Sequence, residues 1–147
     1  SNVGNIGQTD NRYHTLHAKA SSAQYADLAE VYESDASYEA GTVVHFGGEK
    51  EVSQCDIDHC RKVAGVVSTN PAYLMNGGFT AENIAVVALT GRVPTKVTGT
   101  VAKGDMMVSD GTGRARAEAD PKVGAVIGKA LEASEGDAVI EVVVGKH

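Results

Sequence analysis

The 147-residue sequence predicts an all-β fold, a small barrel or β-clip-like domain, on three observations. It holds 17 glycines and no tryptophan. Val and Ala carry most of its 42% hydrophobic content. Short apolar runs end regularly at glycine or at Asn-Pro, the punctuation that antiparallel strands and their turns require. One core of ordinary size fits this length.

Residues 1–22 differ from the rest. They are polar, with one alternating stretch, Tyr13-His14-Thr15-Leu16-His17-Ala18, and are expected to form an extended arm that needs a partner surface. The β-rich domain is expected over 23–147. At its start Tyr25, Leu28, Ala29 and Tyr32 fit a helix, with Ser21 and Gln24 as a capping box, while Leu28, Glu30 and Tyr32 fit a strand equally well. Six strands follow, near 41–46, 62–68, 84–89, 105–108, 123–127 and 139–144. They form two sets of three, in repeat halves of about 38–91 and 101–145, with offsets of 63, 60 and about 55 positions. The expected result is an internal duplication in which each half covers the other's apolar face.

A formal charge of −6, with no gathered basic residues, argues against nucleic acid. The longest uninterrupted apolar run, 84–89, is far below the roughly 20 residues of a spanning helix, and no leader-like pattern opens the chain, so no membrane insertion is expected. No cofactor is expected either.

Three stretches carry a resemblance: Tyr25-Ala26-Asp27-Leu28-Ala29-Glu30-Val31-Tyr32, Gly41-Thr42-Val43-Val44-His45-Phe46-Gly47-Gly48, and the string from Val63 through Asn70-Pro71-Ala72-Tyr73-Leu74-Met75-Asn76. Together they resemble C-terminal domains of tail-fibre and other virion structural proteins of tailed phages, especially T4-like phages of marine bacteria. The resemblance implies a virion component assembled in the host cytoplasm. It also implies a homotrimer that contacts other virion proteins and a host-surface glycan or receptor. Tyr13, Leu16, Tyr25, Tyr73, Leu74 and Met75 are the expected interface residues. The element order is more distantly similar to the self-cleaving intramolecular chaperone domain of phage pre-neck appendages. That likeness places Asp27 with Glu30 or Glu33 where acidic processing residues belong, since one carboxyl can donate a proton while the other acts as base. Solvated structural carboxylates are the favoured reading, because the chain runs uncut through this region. The Ser-Asp-Lys arrangement of another fibre chaperone is missing, since Ser34-Asp35 meets no lysine before Lys50.

Cys55-Asp56-Ile57-Asp58-His59-Cys60 crowds possible metal ligands together, chiefly Cys55, Asp58, His59 and Cys60. Structural zinc sites usually draw ligands from two separated loops, so a solvated loop between strands is the favoured expectation, with a Cys55 to Cys60 bridge as an alternative. The stretch 70–78, which holds Tyr73, Leu74 and Met75, is expected to be a loop buried against the body or another subunit. No hydrolase or protease motif appears, and an enzyme is not the favoured expectation.

Overall fold

The computed structural model describes residues 9–12, 14–15 and 26–145. All ten elements are strands: β1 (Asp27–Glu33), β2 (Val43–His45), β3 (Ser53–Gln54), β4 (Val63–Val67), β5 (Tyr73–Met75), β6 (Ile84–Val97), β7 (Met106–Ser109), β8 (Ala115–Ala117), β9 (Gly128–Ala130) and β10 (Ala138–Val144). The all-β barrel expectation is met. The ring β6-β8-β7-β9-β10 closes on itself because β10 pairs with β6 as well as with β9. Closure removes the two free edges that an open sheet of these strands would expose.

The fourteen-residue β6 is the spine, longer than the expected 84–89. Its first part lies between β1 and β4, and its second part runs beside β10. Alternation along the strands serves two cores. Val43 faces the larger one with Val66, Val93, Met107, Ile140 and Val142, whereas Val44 faces a smaller one with Val52, Val67 and Val87. Small β-branched side chains fill the narrow interior, and Met107 is the largest fully buried side chain among the described residues.

One pairing scheme occurs twice. In the first half Val43↔Val66, Val44↔Gly65 and Val44↔Gln54 are partners. In the second, Met106↔Lys129, Met107↔Gly128 and Met107↔Ala117 are partners, the same register 63 positions on, from Val43 to Met106. Gly65 and Gly128 hold equivalent places. A Cβ on Gly65 would lie 2.2 Å from the Ala88 carbonyl oxygen, and one on Gly128 would lie 2.1 Å from that of Val143. Each glycine lets a crossing strand approach that no side chain permits.

Two expectations are corrected, one open reading is resolved, and two strands are added. The stretch 123–127 is not a strand: Val123 is exposed in a turn, and β9 starts at Gly128, which makes the middle offset 63 and not 60. The ambiguous stretch is strand β1, with a bulge between Leu28 and Ala29; the capping-box residues Ser21 and Gln24 lie outside the described residues. The stretch around Tyr73 is not wholly a loop, because β5 pairs in parallel with β1. Two short strands, β3 and β8, were not expected at all.

Candidate functional site

Strand β1 begins at a cavity of about 350 Å³ lined by Asp27, Ser68, Asn70, Arg92, Pro94 and Glu141, among others. Next to Arg92 in the chain, Gly91, at φ +106°, permits the close approach of the two strands: a Cβ there would lie 2.1 Å from the Ala26 carbonyl oxygen, which already accepts the Arg92 N–H at 3.3 Å. Asp27 is 6% exposed, yet its Oδ2 has no hydrogen-bond partner among the described residues, and the same holds for Glu141 Oε2. Two orphaned carboxylate oxygens on one cavity are costly in a fold that gains nothing from them.

Glu30 and Glu33 are not part of this arrangement. Glu30 points to the opposite face of β1 from Asp27 and accepts the Tyr32 hydroxyl at 2.7 Å. Glu33 shares Asp27's face but sits at the far end of the strand, where Lys50 reaches its Oε1 at 2.9 Å. The structure places Glu141, a residue that sequence reasoning missed, on the same cavity as Asp27. Its signal was a carboxylate interrupting the apolar run Val139-Ile140-Glu141-Val142.

β5 forms the outer edge beside β1, with Leu28↔Tyr73, Ala29↔Leu74 and Glu30↔Met75 as partners. The Asn76 side chain, donating to the Val31 carbonyl at 3.0 Å, and the Ala72 N–H, donating to the Asp27 carbonyl at 2.8 Å, fasten its two ends. Tyr73 is 65% and Leu74 43% exposed, and Met75 is half-buried. A short edge strand with exposed apolar side chains offers both unpaired backbone and contact area to another chain. Tyr13, Leu16 and Tyr25 lie outside the described residues.

The 55–60 segment divides its polar residues between inside and outside, unlike the solvated loop expected from sequence. Cys55 and Cys60 are free thiols buried in the larger core. Burial pushes the Cys55 thiol up from its usual range. Asp58 turns outward and accepts both Arg116 Nε, at 2.7 Å, and Nη2, at 3.1 Å, a two-point pair that holds its carboxyl below the usual range. His59, at φ 54°, accepts the Lys122 backbone N–H on Nε2 at 2.9 Å. Asp58 and His59 therefore clasp the second half and do not face the cysteines. The imidazole that does face them is His45 on β2, brought there because His45 pairs with Ser53 across the β2-β3 hairpin. No local spacing links it to Cys55; its one sequence signal was a histidine ending the apolar run Val43-Val44.

A cleft of about 640 Å³ is lined by Tyr32, Phe46, Arg61, Lys62, Leu89 and Ile127, among others. Tyr32 and Phe46 meet edge to face with ring centres 5.8 Å apart. Burial and the Glu30 carboxylate push the Tyr32 hydroxyl up to about 12, so it stays a hydrogen-bond donor.

A duplicated all-β barrel with an apolar outer edge is the class that these features define. No protein-family model matches the sequence, and no curated protein is significantly similar to it. Among solved structures, the fold is similar to that of the pre-mature gene product 12 of bacteriophage phi29, with a TM-score of 0.66 at 15% identity over 93% of this chain and 24% of that one. The N base of the head fibre gp8.5 of the same phage aligns at a TM-score of 0.49 and 14% identity, over 80% of this chain and 92% of that one. At these identities the likeness to gene product 12 is one of fold. The chain spans about a quarter of that protein's length.

Proposed function

We propose that this chain is the C-terminal domain of a virion structural protein of a tailed phage, a tail fibre or appendage of the T4-like type. There it holds three copies in register and contributes to host attachment. The observation that carries the proposal is the exposed apolar edge of β5, directly beside the strand into which residues 1–22 lead. Burying Tyr73 and Leu74 against another copy is worth roughly 1.5–3 kcal/mol for each large apolar side chain. Three chains aligned at one end also lower the loop-closure cost of starting a fibre shaft in register. The shared fold with a phage gene product supports the setting: assembly in the host cytoplasm, contact with other virion proteins, and residence in the virion. Light scattering on the eluting protein is expected to give a mass of three chains. A Tyr73→Ser, Leu74→Ser double variant, changed only at exposed positions, is expected to dissociate while keeping its β spectrum. A wild-type monomer at micromolar concentration would overturn the proposal. The aromatic and basic cleft at Tyr32, Phe46, Arg61 and Lys62 is the candidate seat for a host glycan, and a glycan array without hits would remove attachment from the assignment.

Asp27 favours a second reading, self-processing of the chain that precedes Ala26. Here one of the two cavity carboxyls, Asp27 and Glu141, takes a proton from water as the oxygen adds to a peptide carbonyl, and the other gives a proton to the departing nitrogen. Incubation is expected to yield one discrete shorter product, lost in Asp27→Asn and in Glu141→Gln. An unchanged intact mass would remove this reading and leave the assembly role standing.

A further inference from the structure

His45, Cys55 and Cys60 are 4%, 0% and 2% exposed, and their ligand atoms all lie within 4.8 Å of one another. Hydrogen bonding around the histidine settles which ring nitrogen is bare. The Ser53 hydroxyl donates to the Gly47 carbonyl at 3.0 Å, and a carbonyl can only accept. The Ser53 oxygen, 2.9 Å from His45 Nε2, is thereby left to accept, so Nε2 carries the proton. The exposed Asp56 carboxylate, 3.8 Å from Nε2, favours the same tautomer. Nδ1 then presents its lone pair to Cys60 Sγ, 3.8 Å away. The ring cannot swing freely, because it packs on Gly47 so closely that a Cβ there would lie 2.8 Å from Cε1.

The Cys60 sulfur is prepared in a similar way. Cys60 Sγ accepts the Lys62 backbone N–H at 3.3 Å, a contact that suits a thiolate, and the Cys60 N–H is anchored on Ser109 Oγ at 2.9 Å. That serine in turn donates to the Ile57 carbonyl at 2.8 Å, so β7 of the second half fixes the loop that carries both sulfurs.

We propose that His45 Nδ1, Cys55 Sγ and Cys60 Sγ form a binding site for one zinc-class divalent cation, with one small ligand such as an enclosed water completing the tetrahedral set. Two thiolates and one imidazole are the donors that such an ion prefers, and the outer Nε2–H bond to Ser53 is the support that a ligating histidine ordinarily has. Charge favours the site too. Each S–H bond is replaced by a sulfur–metal bond with its proton released to solvent, so a dication with two thiolates is a neutral unit, which suits an aliphatic core.

The test is titration of reduced, metal-free protein with Co²⁺, followed by displacement with Zn²⁺. A thiolate charge-transfer band in the near ultraviolet, with visible bands of a tetrahedral ion, is expected to saturate at one ion per chain and to vanish as zinc is added. Cys55→Ser and Cys60→Ser are each expected to abolish the charge-transfer band or cut it to half or less, and His45→Gln to weaken binding at least about 10-fold. His59→Gln, outside the cluster, is expected to bind as wild type does. Because a core variant can fail to fold, the wild-type protein supplies an independent readout: bound Zn²⁺ is expected to protect both thiols from alkylation. No cobalt–thiolate band, a band that survives both serine variants, alkylation that zinc does not slow, or binding lost in His59→Gln would each overturn the proposal. So would a Cys55 to Cys60 disulfide, and no bound ion, in protein purified without reductant.

Discussion

The two halves of the barrel repeat one pairing register, yet the buried imidazole and the two buried thiols all belong to the first half. Val43–His45 and Met106–Ser109 pair with their neighbours in the same way, but the place of His45 is taken by Val108, and that of Cys60 by the exposed Val123. The connections differ accordingly. The 55–60 segment turns its cysteines into the core and fixes its outer residues to Ser109, Arg116 and Lys122, whereas 118–124 stays outside and the chain re-enters the core only at Ala125 and Ile127. Backbone approach at Gly65 and Gly128 defines the repeat, and the connections are free to diverge on it.

The largest expected effect tests whether the repeat is real. Gly65→Ala and Gly128→Ala each drive a methyl group into a carbonyl oxygen and are expected to cost about 3 kcal/mol or more, read by urea denaturation. Should one be well tolerated, the two positions are not equivalent. Next come Met107→Ala, expected to cost about 3 kcal/mol, and its counterpart Val44→Ala, about 2 kcal/mol; both side chains are fully buried and differ mainly in size. Equal or inverted costs would show that the two cores are packed to different tightness.

The smallest effect concerns the clasp between the halves. Asp58 is 58% exposed, so solvent discounts its pair with Arg116, and Arg116→Met is expected to cost under about 1 kcal/mol at neutral pH. The sign follows from the lowered Asp58 pKa: its contribution is complete above the unfolded value near 3.9 and is lost as pH falls through the lower folded value. Wild type and Arg116→Met should therefore differ near pH 6 and converge toward pH 2. A gap that widens in acid would contradict the pairing.

Apolar runs ending at glycine revealed most strands, because alternation and turn chemistry are local. The middle offset was misread because Lys62-Val63-Ala64-Gly65-Val66 and Lys122-Val123-Gly124-Ala125-Val126 look alike in side chains. What matters at that crossing is a residue without a side chain, and Gly128 fills that role. β5 was missed because Asn70-Pro71 and Asn76-Gly77-Gly78 flank three residues with turn signals, and only its pairing with β1 makes it a strand. At the candidate sites Asp27, Cys55 and Cys60 were legible. Their companions Glu141 and His45 were not, since strand pairing across the sheet places them and no spacing along the chain records it.

Amide hydrogen exchange along β5, followed as protein concentration is raised through the micromolar range, tests the proposed assembly most directly. The amides of Tyr73, Leu74 and Met75 that β1 leaves unbonded are expected to exchange quickly in dilute protein and to slow as three-chain particles form. Exchange at this edge that stays equally fast at every concentration would contradict a role for β5 in joining the chains.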